Sequence, residues 1–130
     1  MRSATRPARL VYEFSENALV AKRLPSRRDE AAAPRLWACE VRNSVLMGFR
    51  RRRITYADAL EFLQSIKELP VRLTDPVSYD GVFTPAGRHG LSVYDAACLD
   101  LAVREGLPLA SLDNALCKAA LNANVALFQP

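Results

Sequence analysis

Three carboxylates in this 130-residue chain stand where carboxylates are costly to keep. Asp95 lies in Val93-Tyr94-Asp95-Ala96-Ala97-Cys98-Leu99, and its helical neighbours at i+4 and i+7 are Leu99 and Ala102. A carboxylate facing a packed region destabilises the fold unless something compensates it. Asp113 directly follows the apolar run Leu107–Leu112, at the carboxyl end of an expected strand. Ligand sites of open parallel sheets lie at that edge. Glu40 borders the stripe Trp37, Val41, Val45 and shares its face with Asn43 and Ser44. Each has an ordinary alternative. Asp95 could close a capping box with Ser92, Asp113 could cap the next helix, and Glu40 could be a boundary glutamate. The chemistry that would use all three is the holding of a cation between carboxylates.

The elements that must position these acids follow from periodicity and punctuation. Ser92 caps a helix that Gly106 stops. From Asp95 to Glu105 that helix advances about 15 Å, at roughly 1.5 Å per residue. From Leu107 to Asp113 the strand returns about 20 Å, at roughly 3.3 Å per residue. Asp113 therefore comes back to the end of the domain where Asp95 starts. Two carboxylates at one sheet edge repel unless a cation lies between them.

Earlier in the chain, residues 14–24 form an expected helix with Leu19, Val20 and Leu24 inward. Ala31–Ala33 is a very short strand. Pro34 opens a long helix over about 35–50. Thr55 caps a helix ending near Glu68, with Ala59, Phe62, Leu63 and Ile66 inside. Pro70–Leu73 is a strand. Residues 76–87 stay ambiguous, since Gly81, Pro85 and Gly87 oppose a long helix. Residues 114–122 are helical, and Val125–Phe128 is a last strand. Strands alternating with helices imply an α/β fold: a central, mainly parallel sheet covered by helices on both sides, in a single domain over residues 1–130.

Half of the residues are hydrophobic, enough for one core and too little for two. No apolar run reaches the length of a membrane span. The basic start, Met1–Leu10, lacks the apolar stretch of a signal peptide, so the expected location is the cytoplasm. The cysteines Cys39, Cys98 and Cys117 show no metal spacing and are expected as reduced core thiols. Net charge is +4, and the basic residues cluster. Arg2, Arg6, Arg9, Lys22, Arg23, Arg27 and Arg28 load the start. Arg50, Arg51, Arg52 and Arg53 form one run, either a solvated helix end or a phosphate-facing surface. No glycine-rich phosphate loop supports a nucleotide-binding regulator. His89, the sole histidine, has no assigned role.

Two stretches resemble a known family. "PRLWACEVRNSVLMGFRRRRIT" is similar to the second-helix region of PIN-domain ribonucleases, specifically the VapC toxins of bacterial toxin–antitoxin pairs. "HGLSVYDAACLDLAVREGLPLASLDNAL" resembles their C-terminal half. The resemblance covers about residues 30–128 and implies a PIN-like α/β/α sandwich. It also implies catalytic, metal-holding acids at Glu40, Asp95 and Asp113, with a Ser or Thr at Ser111. Ser111, Asn114 and Asn43 would hydrogen-bond an acid or a metal-bound water. The implied activity is Mg²⁺- or Mn²⁺-dependent hydrolysis of RNA, with tRNA a plausible substrate. The implied partners are a VapB-type antitoxin and a second copy of the chain in a homodimer.

The chain departs from that pattern near its start. The family carries a further Asp at the end of its first strand, and family spacing puts it between Arg2 and Arg6, where no Asp stands. Only Leu10-Val11-Tyr12 resembles such a strand, over an atypical segment of residues 1–30. Glu13 or Glu16 would have to substitute. Otherwise the original start was lost or frame-shifted, or the chain is a degenerate, protein-binding member. A set one acid short implies weakened metal binding.

Overall fold

The computed structural model describes residues 8–21 and 30–128. Expectations for Arg2, Arg6, Lys22, Arg23, Leu24, Arg27 and Arg28 lie outside them. Four strands form an all-parallel sheet: β1 (Leu10–Tyr12), β2 (Ala31–Pro34), β3 (Arg72–Thr74) and β4 (Leu109–Ala110), in the order β3-β2-β1-β4. Leu10, Val11, Ala32, Ala33 and Leu109 are fully enclosed, as expected for a parallel sheet covered on both faces.

The helices are α1 (Glu16–Val20), α2 (Trp37–Arg50), α3 (Tyr56–Lys67), α4 (Tyr79–His89), α5 (Val93–Glu105) and α6 (Asn114–Asn122). The chain steps from β1 to β2 to β3 in one direction through α1, α2 and α3. It then crosses back to β4 through α4 and α5. Right-handed crossovers in opposite directions put the two helix groups on opposite faces. Accordingly α1 packs on α2 and α2 on α3, while α5 lies across β1, β2 and β4 and carries α4 and α6. The result is an α/β/α arrangement. Because β2 and β4 flank β1 on either side, the chain reverses direction at β1, and a crevice opens at the carboxyl ends of β1 and β4.

Several local expectations are met for the stated reasons. Thr55 forms a complete capping box with Asp58. Ser92 caps α5, and Gly106 ends it in the left-handed region at φ 65°. Beyond those expectations, Asp100 and Arg104 pair at 2.8 Å one turn apart on α5.

Others are corrected. The 14–24 helix begins at Glu16, capped by Ser15, and buries Ala18 and Leu19, with Val20 outward. The helix expected from residue 35 starts at Trp37, because Pro34 still pairs with Thr74 in the sheet. The ambiguous 76–87 segment is largely helical. Pro85 forgoes a bond to the carbonyl of Gly81, but Ser78 caps the start, Gly90 (φ 65°) closes the end, and Val82 and Ala86 bury against Ala96. The Leu107–Leu112 strand shrinks to two residues, since Pro108 has no N–H and Ser111 turns the chain. The last strand reduces to one bridge, Leu127 beside Leu109. Cys98 is buried, but Cys39 is exposed on the outer side of α2 and Cys117 only half-buried, so the thiols are not all in the core. Among the described residues, no helix is long and apolar enough to cross a membrane.

Candidate active site at the carboxyl edge of the sheet

Four acids reach the crevice from four elements. Asp95 sits in the first turn of α5, and Glu40 in the first turn of α2. Asp113 follows β4. The fourth is Glu13, the residue directly after β1. It is the buried charged side chain among the described residues, 3% exposed. Glu13, not Glu16, is therefore the acid at the end of the first strand. Glu16 is held elsewhere: Arg51 Nη1 and Arg53 Nη1 each donate to one of its carboxylate oxygens at 2.7 Å. Of the two acids offered as substitutes, Glu13 is the one placed beside Asp95 and Asp113.

The hydrogen bonds explain how the acids are held. Ser111 Oγ donates to Glu13 Oε1 at 2.8 Å and accepts the Asp113 N–H at 2.9 Å. One hydroxyl thus ties the end of β1 to the turn after β4. Asp113 does cap α6, as its ordinary alternative held, with Oδ1 accepting the Leu116 N–H at 2.8 Å and no bond to Oδ2 among the described residues. Its charge still acts on Glu13 and Asp95. At Asp95 the capping box is half-formed. Ser92 Oγ accepts the Asp95 N–H at 3.0 Å, without the reciprocal backbone bond that Asp58 makes at Thr55. The Asp95 carboxyl is therefore left to meet Glu13.

The electrostatics follow from that crowding. Burial, then the charge of Asp95, pushes the Glu13 carboxyl from 4.5 to about 8; its bond to Asp95 and the charge of Asp113 add to this, and the Ser111 bond opposes it. Asp95 is also raised, first by burial and then by the charges of Asp113 and Glu40, while its bonds with Glu13 and Ser92 pull it down. At neutral pH Glu13 therefore keeps its proton and donates it to Asp95, as like charges held this close require. Behind the pair, burial pushes the Cys98 thiol and the Tyr94 hydroxyl far up, so both stay neutral. A thiol held protonated in this way is no nucleophile.

The remaining expected residues divide. Ser111 bonds an acid directly. Asn43 and Asn114 are exposed, and among the described residues no hydrogen bond ties either to the acids. The arginine run starts about 15 Å along α2 from Glu40, at roughly 1.5 Å per residue. Arg51 and Arg53 are occupied by Glu16, which leaves Arg50 and Arg52 as the exposed cations of the run without an acidic partner among the described residues. Sequence reasoning missed Tyr94 and Cys98 as the buried neighbours behind the acid pair, and no local signal marks them.

Whether the crevice suits a divalent cation can be judged on its donors. All four acids and Ser111 offer oxygen, and the raised carboxyls mark an excess of negative charge that a cation would relieve. As they stand, no three His, Cys, Asp or Glu side chains among the described residues are gathered closely enough to hold an ion. The donor chemistry fits, in an open rather than a closed shell. Ser111→Ala should lower stability by about 1–3 kcal/mol, because Glu13 and the Asp113 N–H both lose a partner. Urea unfolding checks this, and an unchanged midpoint would show the hydroxyl to be dispensable.

No protein-family model matches the chain, and no curated protein matches it. Among solved structures, the chain is similar to the crystal structure of PAE2754 from Pyrobaculum aerophilum, with a TM-score of 0.67 and 24% identity over 86% of this chain and 84% of that one. At that identity the likeness is one of fold.

Proposed function

We propose that the chain is a metal-dependent endoribonuclease of the PIN-domain, VapC-like type, with Glu13, Glu40, Asp95 and Asp113 as its metal-holding acids. The observation that carries this reading is the convergence of four carboxylates, from β1, α2, α5 and the turn after β4, on the edge where open parallel sheets bind ligands. A bound Mg²⁺ or Mn²⁺ would supply orientation of the phosphate, an acidified water and charge relief on the leaving oxygen.

The chain's own residues do the rest. Ser111 fixes Glu13, and Asp113 keeps Oδ2 available while Oδ1 caps α6. Glu13, protonated in the folded chain, would hold such a cation once its proton is given up. Arg50 and Arg52 would face the RNA backbone. The resemblance extends the proposal to a VapB-type antitoxin that covers the acids, to a homodimer, to tRNA as substrate and to a cytoplasmic setting.

One observation favours a second reading, a catalytically degenerate protein-binding module: the acids are not gathered into a closed shell. A cleavage assay separates the two. Purified, antitoxin-free protein should cut total RNA with Mn²⁺ and not with EDTA, and Glu40→Gln should be inactive under both conditions. RNA left intact with Mn²⁺, or cut equally by Glu40→Gln, would favour the binding module.

A further inference from the structure

We infer that Tyr94 is a positioning residue, which sets Glu13 opposite Asp95 by holding the backbone between β1 and α5. The inference rests on the proposed metal site and adds a residue to it.

The Tyr94 hydroxyl oxygen accepts the N–H of Phe14 at 3.1 Å, in a buried bond between residues 80 apart in sequence. Phe14 immediately follows Glu13, and Tyr94 immediately precedes Asp95. One hydrogen bond thus joins the neighbour of one acid to the neighbour of the other. Beyond Tyr12 the backbone has left the β1 ladder except for the Glu13 N–H, which donates to Ala110 O at 3.0 Å. The next amide, on Phe14, points to the α5 side and finds Tyr94. Without that acceptor it would be a buried N–H with nothing to bond, and the peptide carrying Glu13 would turn to satisfy it. Tyr94 is itself fixed. It is buried at the start of α5, against the equally buried Cys98 one turn further along. Ser111 grips the Glu13 side chain from the β4 side, and Tyr94 grips its backbone from the α5 side.

Tyr94→Phe keeps the ring and removes only the acceptor. Two readouts test it. The first is amide exchange at Phe14, which should be protected in the wild type and exposed in Tyr94→Phe. An unprotected Phe14 amide in the wild type, or one still protected in the variant, would overturn the bond and the inference with it. The second is Mn²⁺ affinity, followed by quenching of Trp37, the single tryptophan, one turn before Glu40 on α2. Half-saturation should rise about tenfold or more in Tyr94→Phe, the range usual for residues that orient metal ligands. Ile66→Ala, a core change on α3, should lower the melting temperature and leave half-saturation unmoved. Equal half-saturation in Tyr94→Phe and wild type would reduce Tyr94 to a structural residue and overturn the inference. A wild type that takes up no Mn²⁺ would instead overturn the metal site, while Phe14 exchange would still decide the role of Tyr94.

Discussion

Metal-free protein should lose stability steadily between about pH 5 and pH 8.5, and Glu13→Gln should remove most of that loss. The Glu13 carboxyl titrates near 4.5 in an unfolded chain and near 8 in the folded one. The folded state therefore binds this proton more tightly. Its contribution is fully present below pH 4.5 and disappears as pH rises through 8. Asp95 is shifted in the same direction and titrates with Glu13 as a pair. With each pKa unit worth about 1.4 kcal/mol, the expected loss is roughly 3–5 kcal/mol across this window. Glutamine keeps the size of the side chain and cannot ionise. Urea unfolding in EDTA at several pH values measures the effect, and equal slopes for wild type and Glu13→Gln would remove Glu13 as its source. Added Mn²⁺ should reverse the loss at pH 8, since a cation replaces the proton between the carboxylates.

The second large effect concerns Asp95. Asp95→Asn should abolish Mn²⁺-dependent RNA cleavage, by more than about 100-fold, given that even outer partners of a metal are worth 10- to 100-fold. The fold should survive. The cap at Ser92 uses the backbone N–H of residue 95, which asparagine retains. Asparagine also removes one of the charges that crowd Glu13, so the variant should be at least as stable as wild type at pH 8. Timed cleavage of a labelled RNA, with circular dichroism of the same sample, gives both answers. Undiminished cleavage by a purified Asp95→Asn would end the nuclease assignment.

How much of this was legible in sequence depended on the range of the interactions involved. Asp95 and Asp113 could be placed because their signals are local: a serine cap, a glycine stop, and an apolar run returning to the same edge. Helix α3 was legible for the same reason, its start marked by the Thr55 cap. Glu13 was visible only conditionally. Its strand is three residues long, and what marks it is burial against Tyr94, Asp95 and Ser111, each more than 80 residues away. The arginine run read as one surface, yet Glu16 divides it through contacts that form only when α1 packs on α2. Pro85 and Gly81 misled over α4, because packing on α5 outweighs local propensity there.

The central proposal is that four carboxylates at this edge accept a divalent cation. Calorimetric titration of the metal-free protein with Mn²⁺ at pH 7, repeated in buffers of different ionisation enthalpy, tests it most directly. The expected result is saturable binding with release of about one proton, supplied by Glu13, and release of none in Glu13→Gln. An absence of saturable binding in the wild type, or proton release that persists in Glu13→Gln, would contradict it.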